Sequence, residues 1–256
     1  MQFVDTHTHM YLEQFNEDRD ACIDRALKQG VNKIFLPNVD SSSIAPMIDL
    51  CDKYPENCFP MMGLHPCSVT DKFEEELAIV EQYLKKGGFK GVGEIGIDLH
   101  WDNTYVEQQK EAFRKQIKWA KELKLPIVIH ARKSFEEIFD IVDDLNDEDL
   151  WGIFHCFTGS FEQAQKIIDY GGFKLGIGGV VTYKNSGLAE TLSRVDLSHL
   201  VLETDAPYLT PIPFRGKRNE TSYTYHVAQK LAEIYNIPIT EVGELTTKNA
   251  HEIFEF

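Results

Sequence analysis

Five short apolar runs in this 256-residue chain each end in a histidine or a carboxylate. They are FVDTHTH, closing on His7 and His9; GVGEIG, with Glu94; PIVIH, with His130; WGIFH, with His155; and LVLETD, with Asp205. A short apolar run reads as a buried strand. A ligand-type side chain placed where such a strand stops points out of one end of a sheet, so six of them would meet at one place. In a parallel α/β barrel that place is the face at the C-terminal ends of the strands, where active sites are built. The donors are imidazole and carboxylate with no thiolate, a set that suits divalent ions used in hydrolysis.

The remaining pattern alternates. Strand-like runs fall at Phe3–His9, Lys33–Pro37, Cys58–Leu64, Gly91–Ile95, Pro126–His130, Trp151–His155, Phe173–Ile177 and Leu200–Glu203. Helical patterns follow them near Asn16–Gln29, Ser43–Tyr54, Phe73–Lys86, Val106–Leu123, Phe135–Leu145, Phe161–Tyr170, Leu188–Val195 and Tyr223–Tyr235, and one more lies at Thr240–Glu252. Strand–helix alternation argues a parallel sheet. Eight units predict a closed α/β fold, a TIM-like (β/α)8 barrel with an extra C-terminal helix, and the length matches the roughly 250 residues typical of one. No linker or shift in composition divides the chain, which predicts a single domain over residues 1–256.

Formal net charge is −15. That argues against nonspecific nucleic-acid binding through a basic surface. It leaves room for an enzyme that grips a few phosphates through metal ions, because such ions are the largest local positive charge. The five cysteines are odd in number and form no C-x-x-C pair, so they read as reduced thiols. With no signal-peptide pattern and no apolar run near 18 residues, the expected location is cytoplasmic.

His7 and His9 stand at i and i+2, on one side of a strand, so both imidazoles can hold one ion. Glu94 is flanked by Gly93 and Gly96, which permit close backbone approach near an ion, and its carboxylate is the candidate bridge between two metals. His130 and His155 complete a second site beside it. Asp205 is the candidate to bind the first ion and to orient or deprotonate the attacking water. Glu203 faces the same way, either supporting the site or as a buried salt-bridge partner. His65, after the third strand, is a candidate for a phosphate or a third ion. His100, His199, His226 and His251 read as solvated or structural. The densest basic cluster is Arg215, Lys217 and Arg218, in a loop where such barrels often hold phosphate. Arg132 and Lys133 are weaker candidates for the same field, and Tyr11, Tyr183 and Tyr208 are candidates for stacking bases.

Together, DTHTH, GLHP, GEIGID, IHAR, HCFTG and the long block LETDAPYLTPIPFRGKRNE resemble the TatD family of metal-dependent deoxyribonucleases, across the whole chain. The last block is the most specific. The resemblance implies hydrolysis of phosphodiester bonds in DNA, as a 3′→5′ exonuclease preferring single strands; from the chain itself no membrane span is expected and nothing suggests an obligate protein partner. The resemblance also implies two divalent ions (magnesium, manganese or zinc) on His7, His9, Glu94, His130, His155 and Asp205. His65 and the Arg215–Arg218 loop match family positions near the substrate. Met10-Tyr11 and Thr221-Ser222 depart from the family pattern without touching a ligand position. Two alternatives remain: a hydrolase of C–N or lactone bonds on the same scaffold, and a non-catalytic binding barrel with structural metals. A small neutral substrate would not need the RGKR loop.

Overall fold

In the computed structural model, which describes residues 2–256, strands and helices alternate without exception up to the eighth pair. The strands are β1 (Phe3–Asp5), β2 (Val31–Pro37), β3 (Cys58–Met61), β4 (Val92–Asp98), β5 (Ile127–Arg132), β6 (Gly152–Phe154), β7 (Phe173–Ile177) and β8 (Leu200–Leu202). The helices are α1 (Arg19–Lys28), α2 (Ile44–Lys53), α3 (Phe73–Lys86), α4 (Val106–Leu123), α5 (Phe135–Leu145), α6 (Phe161–Asp169), α7 (Leu188–Leu192), α8 (Thr224–Tyr235) and α9 (Ile239–Phe254). Each helix turns an apolar stripe inward. On α4, for example, Ala112, Phe113, Ile117 and Ala120 are buried at helical spacing. No helix among the described residues is long and apolar enough to cross a membrane.

All strand pairing is parallel, in the orders β1-β2-β3 and β4-β5-β6-β7-β8. Backbone hydrogen bonds close both seams. Thr6 N–H donates to the Leu202 carbonyl at 3.0 Å, and Met62 N–H to the Gly91 carbonyl at 3.1 Å. The result is the expected α/β barrel.

Val4, Phe35, Met61, Val128, Ile153 and Val201 come from six different strands and pack in one cluster, so they fill the barrel interior. Ala250, Ile253 and Phe254 of α9 join that cluster, with the Phe254 and Phe35 rings stacked at 3.9 Å. The extra helix thus plugs the end where the strands begin. The other end is left for the site.

The strand ends differ from expectation in an informative way. β1 stops at Asp5, four residues short of His9. Beyond it the backbone leaves the ladder: Thr8 N–H donates to Phe35, His9 N–H to Ala206, and the His7 carbonyl accepts from Asp205 N–H at 2.9 Å. His7 and His9 therefore share a direction through these loop contacts and not through strand parity. β3 and β6 likewise stop before His65 and His155. β4 and β5 instead run longer than expected and carry Glu94 and His130 within them. Gly96, at φ +141°, sits where a Cβ would lie 2.1 Å from the His130 carbonyl oxygen. This glycine sets how closely β4 lies against β5, and so how closely Glu94 meets His130.

Candidate metal centre

Glu94 is the centre of the site, only 2% exposed. Its two oxygens face different imidazoles. Oε2 lies 3.1 Å from His7 Nε2 and 3.5 Å from His9 Nε2. Oε1 lies 2.7 Å from His130 Nδ1, 3.4 Å from His65 Nε2 and 3.7 Å from His155 Nε2. Asp205 Oδ1 stands 3.5 Å from His9 Nε2, 3.8 Å from His7 Nε2 and 3.9 Å from His155 Nε2. Asp205 adopts a left-handed backbone at φ +56°, a conformation aspartate tolerates better than most residues. The six candidate ligands and His65 thus converge at the C-terminal ends of the strands.

The far nitrogen of each ring decides what the near one offers. The Tyr11 hydroxyl donates to the Pro37 carbonyl at 2.6 Å and so accepts from His9 Nδ1–H at 2.9 Å. In the neutral ring that leaves a lone pair on His9 Nε2, although, against burial, Tyr11, Asp205 and Glu94 raise His9 well above its ordinary value, so an entering ion must displace a proton there. His130 Nε2 donates to Asp98 Oδ2 at 2.8 Å, which leaves Nδ1 facing Glu94. His155 Nδ1 lies 3.0 Å from Glu203 Oε1, at an angle too poor for a hydrogen bond but close enough for an ion pair. Glu203 Oε1 also accepts the Cys156 N–H. His65 is the reverse case: its Nδ1 accepts the Cys67 N–H at 3.0 Å, so the neutral ring carries its proton on Nε2 and presents a donor.

Burial and mutual charge set the protonation. Burial lowers His7 to about 4, with the neighbouring His155 pushing the same way, so it is neutral and ready to coordinate. Burial opposes charge on His155 too, but Glu203, Glu94 and Asp205 outweigh it and raise the ring to about 9. His130 is raised against burial by Asp98 and Glu94. Burial would raise Glu94, yet His65, His7 and His155 hold it well below the usual carboxylate range. Anionic carboxylates among imidazoles, with protons shared to balance them, suit divalent cations. Two sets of side chains, His7–His9–Glu94 and His65–Glu94–His130, each bring N and O atoms within 4.8 Å of one another, and in the second the neutral His65 ring holds its proton on Nε2, so Glu94 and His130 are the members free to ligate. A third such set, His7–His155–Glu203, adjoins them, and there His7 Nδ1 and Glu203 Oε2 are buried without hydrogen-bond partners among the described residues. The clusters can hold metal.

Above them opens a cavity of about 790 Å³, whose walls include His65, Asp98, Trp101, Arg132 and Tyr208. The basic loop is not among its lining. Arg218 turns back to Asp18, with both carboxylate oxygens at 2.8 and 2.7 Å, and covers the Phe15 ring. It ties the loop after β8 to the start of α1. Arg215 lies over the Tyr183 ring, and Lys217 lies near Phe214. Arg132 lines the cavity instead. Tyr11 is 1% exposed and cannot stack a base. Tyr183 donates its hydroxyl to the Thr210 carbonyl.

Sequence reasoning missed Asp98 and Trp101 and gave Tyr11 the wrong role. Asp98 had a readable signal: it is four residues past Glu94 in GEIGID, on the same face of a longer strand.

The TatD related DNase family profile matches residues 4–255. YabD of Bacillus subtilis, described as an uncharacterized metal-dependent hydrolase, is 38% identical over 251 residues, covering 98% of each chain. YjjV of Escherichia coli, with the same description, is 31% identical over 258 residues, covering 99% of this chain and 98% of its own. Its crystal structure, that of a TatD homologue, superposes with a TM-score of 0.92 at 29% identity, over 99% of this chain and 98% of that one. A barrel of this topology, with imidazoles and carboxylates gathered at its open end and relatives matched from end to end, belongs to the TatD family of metal-dependent hydrolases.

Proposed function

We propose that this chain, as one domain over residues 1–256, hydrolyses phosphodiester bonds in DNA, acting as a 3′→5′ exonuclease on single strands. His7, His9, Glu94 and Asp205 would hold one divalent ion; Glu94, His130 and His155 would hold a second. The observation that carries this reading is Glu94, whose two oxygens face separate sets of imidazoles. The family's DNase description supports the choice of substrate.

When bound, such ions supply an activated water and neutralise charge on the reacting phosphoryl oxygens. The chain does the rest. Asp205, at the edge of the cluster and facing the cavity, takes the proton of the attacking water. His65 donates from Nε2 to a phosphate oxygen. Arg132, exposed on the cavity wall with no carboxylate within 4 Å among the described residues, binds a phosphate. Arg215 and Lys217, also without carboxylate partners among the described residues, add positive charge further out along the strand. Contacts of this kind position a strand without reading its sequence.

The test is a gel assay of 3′- and 5′-labelled single-stranded DNA with magnesium, manganese or EDTA, with Glu94→Ala and Asp205→Ala alongside. Stepwise shortening from the 3′ end, lost with EDTA and in both variants, is the expected result. Intact DNA with every metal would overturn the reading and direct attention to amides and lactones.

A further inference from the structure

Trp101 is 69% exposed, the most exposed large apolar side chain among the described residues, and it stands on the wall of the cavity above the metal centre. A large apolar ring left in water costs free energy unless something covers it. The ring is also held in place. The Arg132 guanidinium lies over it at 5.1 Å, and the His100 ring meets it edge to face at 4.7 Å. The loop beneath is pinned where Asp98 accepts the backbone N–H groups of His100 and Trp101. Arg132 itself is exposed and pairs with no carboxylate among the described residues, although the protein carries fifteen excess negative charges. An uncompensated cation and an open aromatic ring, side by side at a phosphate-handling site, match the two parts of one nucleotide.

Across the mouth stands Tyr208, half exposed, meeting the His9 ring edge to face at 6.4 Å. It follows β8 while Trp101 follows β4. In a closed eight-stranded barrel these strands are opposite one another, so the two rings flank the space above Glu94.

We propose that Trp101 and Arg132 form a nucleotide ledge, on which Arg132 takes a phosphate next to the scissile one and Trp101 stacks its base. This rests on the phosphodiesterase reading and deepens it by naming the residues that would take the neighbouring phosphate and its base. A base inside a duplex is stacked between its neighbours and tied to its partner strand, whereas an unpaired base is free to turn onto the ring. Stacking of a base on an aromatic side chain is strong enough to change affinity by roughly tenfold or more and is tolerant of sequence.

The test compares a short thymidylate strand with a strand of equal length whose sugars carry no base. Wild-type protein is expected to show a KM roughly tenfold or more lower for the base-bearing strand, with kcat little changed. Trp101→Ala should make the two strands equivalent, and Trp101→Phe should keep most of the difference. A wild-type protein indifferent to the bases, or a Trp101→Ala variant that keeps the preference, would overturn the ledge. If the wild type cuts neither strand, the phosphodiesterase reading fails by itself. Tryptophan fluorescence in magnesium then decides the ledge. Quenching by thymidylate that disappears in Trp101→Phe would support it, and no quenching would overturn it.

Discussion

The two ends of the barrel are made from the same strands and carry opposite chemistry. At the end where the strands begin, Val4, Phe35, Met61, Val128, Ile153 and Val201 meet the last turns of α9 in a buried apolar cluster. At the end where they stop, Glu94 sits among five imidazoles, with Asp205, Asp98 and Glu203 around them. The first end gains free energy by removing surface from water. The second buries charges that are costly there unless paired. The barrel thus keeps its stability and its reactivity at different ends.

That division can be broken most sharply at Glu94. Glu94→Gln should lower kcat/KM by on the order of 1,000-fold, with a melting temperature close to that of the wild type without metal. A variant that unfolds would show that the site also holds the barrel together. The converse variant is Phe254→Ala. It should cost about 3–5 kcal/mol of stability in denaturant titration, as truncating a buried aromatic does, while activity per folded molecule is retained.

Two further variants sharpen the comparison within the polar end. Asp98→Ala and Tyr11→Phe remove the groups that fix His130 and His9. Each should weaken metal affinity about 10–100-fold in a calorimetric titration, without removing a ligand. Equal affinity in both would mean that the tautomers are not set by these partners.

The protons on His155 and His130 compete with cations. The ordinary histidine value is about 6.5; His155 is raised to about 9 and His130 is raised above the ordinary value. At neutral pH His155 is therefore protonated in the free protein, with His130 shifted in the same direction by Asp98 and Glu94, and an entering ion must expel the protons these rings hold. Apparent affinity should rise with pH up to about 9 and fall below it, with protons released on binding. A pH-independent affinity would contradict the charges assigned to these rings.

The smallest effect is expected at Arg218. It pairs with Asp18 at a partly exposed position, so Arg218→Ala should cost less than about 1 kcal/mol and leave cleavage intact. A large loss of cleavage would return Arg218 to the substrate.

The contrast between ends also explains what could be read beforehand. Apolar runs that stop at a histidine or acid carry both halves of the pattern, so the strand order and the convergence of His7, His9, Glu94, His130, His155 and Asp205 were legible. The exact strand ends were not. His7 and His9 are aimed by loop contacts to Ala206 and Phe35, which are not visible along the chain. Arg218 looked like a phosphate ligand because its partner Asp18 lies 200 residues away. Tyr11 looked like an exposed ring because nothing local reveals that its hydroxyl meets Pro37 and His9. Trp101 went unread because an exposed ring gives no periodic signal.

The central claim is that Glu94 joins two ion sites into one centre, and counting ions tests it most directly. Protein freed of metal, loaded with manganese and then dialysed would be assayed for bound metal per chain, wild type beside Glu94→Gln. Two ions per wild-type chain, with both lost or weakened together in Glu94→Gln, is the expected result. Two ions retained undiminished by the variant would contradict it.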